Sequence, residues 1–222
     1  MSPRLDHSAA FARLSLKIMT TLTASPESDT SRIGHFVVPF PPPATAETSH
    51  ARRILAAATE ILRQGELLLG ALNREEYTRK IPVAFNGSIG GHYRHCLDHF
   101  TSLLTGLEES FVDYDHRRRD LRIESDPEFA LRLTRQFRAT LEQLEPARLD
   151  TPVSTRCEVS YEHGDSPVTR STLGRELVYA IAHGIHHYAL ISVMARLVDA
   201  RLPAHFGVAP STVAHQQATA TR

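Results

Sequence analysis

His183 and His187 stand four residues apart in Glu176–Val193, a stretch that reads as helix. That spacing stacks the two imidazoles on one face, one turn apart. His92, His95 and His99 are separated by three and four residues, so they share one stripe of a second expected helix. Two rings from one helix and a third from the other, such as His95, can close on one face of a metal ion. Three neutral ligands leave positions open for water or substrate, as catalytic sites require and structural sites do not. At most one or two of the three stripe histidines can reach an ion held by His183 and His187. The helix around that pair is otherwise apolar, so imidazoles without partners there would carry an uncompensated desolvation cost. Glu176 falls seven residues before His183, two turns along the same stripe. It is a candidate general base, or an acceptor for a ligand's second ring nitrogen. Gly184, beside His183, would permit a close helix approach.

Four helices are expected to position these groups. The first spans about Ser49 to Leu72, where Ile54, Ala58, Ile61, Leu68 and Leu72 recur near helical spacing. The second runs from about Ser88 to Leu107, capped by Asn86 or Ser88. The third starts with Asp126 as cap and Pro127 in the first turn, and its stripe is Ala130, Leu133, Phe137, Leu141 and Leu144. The fourth, from about Thr172 to Val198, is the most hydrophobic, and Pro203 lies beyond its end. Pro152 to Thr169 alternates β-branched and polar residues around Glu162-His-Gly-Asp, which reads as a small hairpin with Gly164 at the turn. The expected fold is all-α: a four-helix bundle with long crossover connections and a small β-hairpin between helices three and four. Residues 1–46, rich in Ser and Thr and then in proline, are expected to form a disordered extension. Residues 47–213 would be the bundle and 214–222 a tail. Phe206–Pro210 is expected to fold back over the helices, because Phe206 and Val208 gain from cover.

Lys+Arg and Asp+Glu balance at 25 each, so no global basic field points to nucleic acid or to an anionic membrane. No apolar run of membrane-span length stands out, and residues 1–46 lack the apolar core of a secretory leader. Cys96 and Cys157 are too few for a disulfide framework or a four-thiolate zinc site, and they fit a reducing cytoplasm. Cys96 points about 100° away from His95 and reads as a buried structural thiol. The charged run Asp113–Asp120 reads as a solvated loop between helices, although Arg117 or Arg119 could present a guanidinium to an anionic substrate. Its arginines are flanked by acids, which argues against a nucleic-acid patch. A homodimer is the commonest assembly for such a chain.

Ser88-Ile-Gly-Gly-His-Tyr-Arg-His-Cys-Leu-Asp-His-Phe100 and Arg175-Glu-Leu-Val-Tyr-Ala-Ile-Ala-His-Gly-Ile-His-His-Tyr-Ala-Leu-Ile191 resemble the DinB/YfiT-like superfamily of metalloenzymes. The loop Val112–Asp120 and the segment Leu202–Thr212 also resemble one bacterial branch of it. The resemblance covers roughly residues 48–213. It implies a four-helix bundle with one metal ligand from the second helix and two, four apart, from the fourth. Matched to this sequence, those ligands are His95, His183 and His187, which leaves His92 and His99 to the pocket. It also implies a divalent ion: zinc, nickel, iron or manganese.

Members of the resembling family include thiol S-transferases and isomerases that use low-molecular-weight thiols. The leading expectation is therefore a metal-dependent enzyme of thiol S-transferase type, acting on a small-molecule thiol through a metal-bound thiolate. Glu176 and His99 are its candidate catalytic side chains. One alternative is a hydrolase using metal-bound water with Glu176 as base. The other is a non-catalytic metal-binding protein of a stress response.

Overall fold

The computed structural model describes residues 44–162 and 164–220. The expected disordered extension, residues 1–46, lies outside the described residues except for 44–46, which open the first helix. In chain order the elements are α1 (Ala44–Ala71), α2 (Arg74–Thr78), α3 (Ile89–Glu109), β1 (Phe111–Asp113), α4 (Leu121–Ser125), α5 (Pro127–Glu142), β2 (Pro152–Arg156), β3 (Val168–Thr172), α6 (Leu173–Leu197) and α7 (Pro210–Ala220). The protein is mostly helical, with one small three-stranded sheet.

Local chemistry starts α3, α5 and α6 where the sequence indicates, while α1 begins at Ala44, ahead of the expected Ser49. The Asp126 carboxylate accepts from the amides of Glu128 (3.0 Å) and Phe129 (3.1 Å), and Pro127 follows with no N–H to leave unpaired. Ser88 Oγ accepts from the Gly91 amide at 3.1 Å, which begins the histidine-bearing α3. Thr172 does the same for α6 through the Arg175 amide at 3.2 Å. Helix α3 ends on Ser110, whose φ of 53° turns the chain into the left-handed region.

Helix α1 buries Leu55, Ala58, Ile61, Leu62, Leu68 and Leu69. It packs on α5 and α6, while α3 packs on α6 and, to a lesser extent, on α5. Two buried phenols tie these layers together. Tyr188 Oη donates to the Ile61 carbonyl of α1 at 3.1 Å. Tyr93 Oη lies 2.7 Å from Thr134 Oγ1. Thr134 spends its own proton on the Ala130 carbonyl, so Tyr93 is the donor. Gly65 makes room for both rings: a Cβ there would collide with the Tyr93 and Tyr188 hydroxyls. Gly184, by contrast, faces α1, and a Cβ there would meet Ile61 Cγ1 at 3.4 Å, an ordinary contact.

The sheet is larger than the expected hairpin. Strands β2 and β3 pair antiparallel from Pro152↔Thr172 to Arg156↔Val168. Strand β1 adds a parallel edge to β2, with Phe111↔Ser154, Val112↔Thr155 and Asp113↔Arg156 in register. The start of the run read as a solvated loop is therefore strand, and Val112 is fully buried. Three residues are too short to show an alternation that the sequence could signal. Because β1 follows α3 directly, this pairing returns the chain toward the histidine helix.

Helix α6 is long and apolar enough to span a bilayer by length and composition, contrary to the expectation of no such run. Part of its hydrophobicity serves packing: Leu177, Ala180, Tyr188, Ile191 and Ala195 are buried, and α1 and α3 both lie along it, while Val178, Leu190, Val193 and Leu197 are exposed. Beyond it, Phe206 returns to stack on Tyr188 with centroids 4.7 Å apart, the cover expected for that segment. Helix α7, which takes in residues 214–220 of the expected tail, buries none of its side chains. A cavity of about 330 Å³ beneath the Phe206 segment, lined by Ser192, Arg196 and His205 among others, touches none of the clustered imidazoles.

Candidate metal centre

The first and middle turns of α3 present His92, His95 and His99, and the middle of α6 presents His183 and His187. Between His95, His183 and His187, one ring nitrogen from each lies within 4.8 Å of the others. Their ring centroids form a nearly equilateral triangle: 4.6 Å from His95 to His187, 4.6 Å from His183 to His187, and 4.8 Å from His95 to His183. Imidazole nitrogens bound at about 2.0–2.1 Å around a tetrahedral ion stand roughly 3.4 Å apart. Small side-chain rotations span the difference, and the donor set of three imidazoles fits a divalent ion.

The other ring nitrogens define which atoms are free. His187 Nδ1 lies 3.1 Å from His92 Nδ1, so His187 has Nε2 left to face an ion. His95 Nε2 lies 2.9 Å from His183 Nε2, the pair that an ion would separate. His95 Nδ1 receives Arg117 Nη1 at 2.7 Å, and the same Nη1 lies 3.3 Å from His99 Nε2. His99 is almost fully buried, its ring 4.0 Å from that of His183, and its Nδ1 has no partner.

Electrostatics keeps these rings neutral. Burial, reinforced by Arg117 and the neighbouring imidazoles, pushes His95 down to about 4. Burial, with His95 and His183 beside it, pushes His187 down to about 3. His183 and His92 are lowered by burial and by His186. Neutral imidazoles near pH 7 offer lone pairs without first shedding a proton.

Glu176 is buried and accepts two hydrogen bonds, from Tyr114 Oη at 2.8 Å and from Ser171 Oγ at 2.6 Å. It thus ties the segment after β1 and the end of β3 to the first turn of α6, and it bonds to no imidazole. Tyr114 in turn packs its ring against His99 at 5.1 Å and against Tyr179 at 5.3 Å. Burial and the Glu176 carboxylate raise the Tyr114 phenol, which stays a neutral donor. Tyr179 also packs against His183, and burial, with the Cys157 thiol nearby, raises its phenol. Cys96 is a free, buried thiol, raised by burial, as a structural role requires. Beneath the site, Arg94 bridges the buried Asp98 and Glu124 of α4, each at 2.9 Å.

The structure therefore brings His92, His95, His99, His183 and His187 into one cluster and places Glu176 one layer away. Sequence reasoning missed Tyr114, which no spacing rule connects to the histidines. Arg117 was readable as a loop charge that could meet an anionic substrate, but not as a partner of the imidazoles. Its contact with the imidazoles follows from the pairing of β1 with β2.

Comparison with known proteins bears on the same region. The family model of the DinB superfamily matches residues 41–191, which hold every residue of the cluster. "FK506-binding protein 5" of Rhizopus delemar is 34% identical over 104 residues, 47% of this chain, and the chain spans 27% of that protein's length. A crystal structure of a DinB-like protein of Bacillus cereus aligns with a TM-score of 0.46 at 14% identity, covering 69% of this chain and 95% of that one. A DinB-like protein of Bacillus subtilis aligns with a TM-score of 0.43 at 18% identity, covering 72% and 98%.

Proposed function

The chain belongs to the DinB superfamily, and from that premise we propose that it is a metal-dependent enzyme of thiol S-transferase type, built as a four-helix bundle. The observation that carries this reading is the convergence of His95, His183 and His187 within 4.8 Å, from two helices, with no carboxylate among the described residues bonded to any of the three rings. A divalent ion held by three neutral imidazoles keeps its full positive charge and favours the ionised form of a thiol.

The protein's own residues supply the rest. His92 fixes the ring of His187 through its Nδ1, so that Nε2 points inward. His99 accepts from Arg117 at Nε2, so its proton sits on Nδ1, where no protein group takes it. That N–H is enclosed by protein atoms, so it meets a leaving group only if the ring turns toward the ligand. Glu176, with both oxygens engaged, positions Tyr114 against His99. In the transfer, the sulfur's electron pair forms a new S–C bond to an electrophilic carbon. The bond from that carbon to its leaving group breaks with its pair, and the thiol proton ends on the leaving group. The partner is a low-molecular-weight thiol rather than nucleic acid or a membrane, in keeping with the balanced charge. Two free cysteines suit a reducing compartment such as the cytoplasm.

The test pairs metal content with thiol consumption. Protein purified without chelator is expected to carry one divalent ion per chain. The triple variant His95→Ala, His183→Ala, His187→Ala, with helicity checked by circular dichroism, is expected to carry none. Metal-loaded protein should consume small thiols in the presence of alkylating electrophiles faster than His187→Ala. Equal metal in both proteins would remove the site, and equal thiol consumption would remove the transferase.

A further inference from the structure

Arg117 stands on the loop between β1 and α4 and turns its guanidinium into the cluster rather than into solvent. Its Nη1 faces His95 Nδ1 and His99 Nε2, and its Nε is buried without a partner. Among the described residues it forms no ion pair. Asp98 is taken by Arg94, and Asp115 Oδ1 accepts from the Glu158 amide, while Asp115 Oδ2 is buried without a partner and makes no ion pair with Arg117. A half-buried guanidinium that donates only to neutral rings leaves most of its five N–H groups uncommitted, in the fork geometry that matches a carboxylate.

Its bond to His95 is also incompatible with a bound ion. Arg117 only donates, so His95 must offer a lone pair at Nδ1, and a neutral His95 then carries its proton on Nε2. If His95 ligates through Nε2, the proton must move to Nδ1, where Arg117 can no longer donate. If His95 ligates through Nδ1, the ion takes the place of Arg117 directly. Either way, metal ligation would free the guanidinium from His95, leaving it tethered at the edge of the site by β1 and able to keep its contact with His99 Nε2.

We propose that Arg117 is the specificity-determining residue of the site and that it selects a substrate bearing a carboxylate, which takes up the guanidinium released from His95. This rests on the thiol reading above for the identity of the substrate's second group, but the anion subsite is testable apart from it.

The cobalt(II)-loaded protein is titrated with 3-mercaptopropionate and with 3-mercaptopropan-1-ol, and the thiolate-to-cobalt absorption band is followed. Wild type is expected to bind the acid about ten- to a hundredfold more tightly than the alcohol. Arg117→Gln should lose that preference with cobalt stoichiometry unchanged, and Arg117→Lys, which keeps the charge but not the fork, should keep part of it. An undiminished preference in Arg117→Gln would overturn the proposal. If neither thiol produces the band, the transferase reading fails, and calorimetry with propionate decides the subsite. Propionate binding that is weakened in Arg117→Gln and partly kept in Arg117→Lys upholds it. Equal binding in all three proteins, or none to wild type, overturns it.

Discussion

The Nδ1 atoms of His92 and His187 lie 3.1 Å apart, across the contact between α3 and α6. One of them must donate and the other accept. With His187 donating, its Nε2 lone pair faces His95 and His183, and the ring is held there by a residue that is not itself a ligand.

Replacing His92 by Phe keeps the volume and removes the acceptor. Metal affinity is expected to fall by about ten- to a hundredfold, with one ion per chain still bound at saturation. Competition against a chromophoric chelator measures this. Unchanged affinity would show that His187 needs no such support, and loss of the site would make His92 a ligand.

The stability of the metal-free protein is expected to decline as pH drops below about 6.5, the ordinary value for histidine. In the fold His95 lies at about 4 and His187 at about 3, so the unfolded chain takes up protons first. Their contribution is complete above the unfolded value and is lost as pH falls through the folded values. Urea midpoints compared at pH 7.5 and pH 5 detect the effect above the range where most carboxylates titrate. His187→Gln should flatten the slope, and an identical slope in that variant would refute the assignment.

Glu176→Ala is expected to cost about 1–3 kcal/mol of stability, because it strands the buried Tyr114 hydroxyl. Metal stoichiometry should stay at one per chain, since the carboxylate is spent on Tyr114 and Ser171. Denaturant unfolding and elemental analysis together separate this positioning role from ligation, in which the variant would lose the ion outright.

The helices and their histidines were legible in the sequence because both obey short-range rules. Ser88, Asp126 and Thr172 each start a helix through a local hydrogen bond, and the spacing of His183 from His187 fixes a shared face by helical geometry alone. What stayed hidden depends on contacts between distant segments. Strand β1 exists only because β2, some 40 residues later, pairs with it. Tyr114 meets Glu176 across 62 residues, and Arg117 meets His95 across 22. No periodicity records such encounters. The role of Glu176 shows the same limit, since its place on the histidine stripe was visible but its hydrogen-bond partners were not.

The division of labour between helix and loop has an evolutionary consequence. The five clustered histidines ride on α3 and α6, whose other faces make up much of the hydrophobic interior, so substitutions around them risk the fold itself. Arg117 rides on a connector whose nearest neighbours in sequence, His116 and Arg118, are exposed. Descendants of such a scaffold can exchange the group that reads the ligand's charge at little cost to folding, and so explore new ligands while inheriting an unchanged cage of imidazoles.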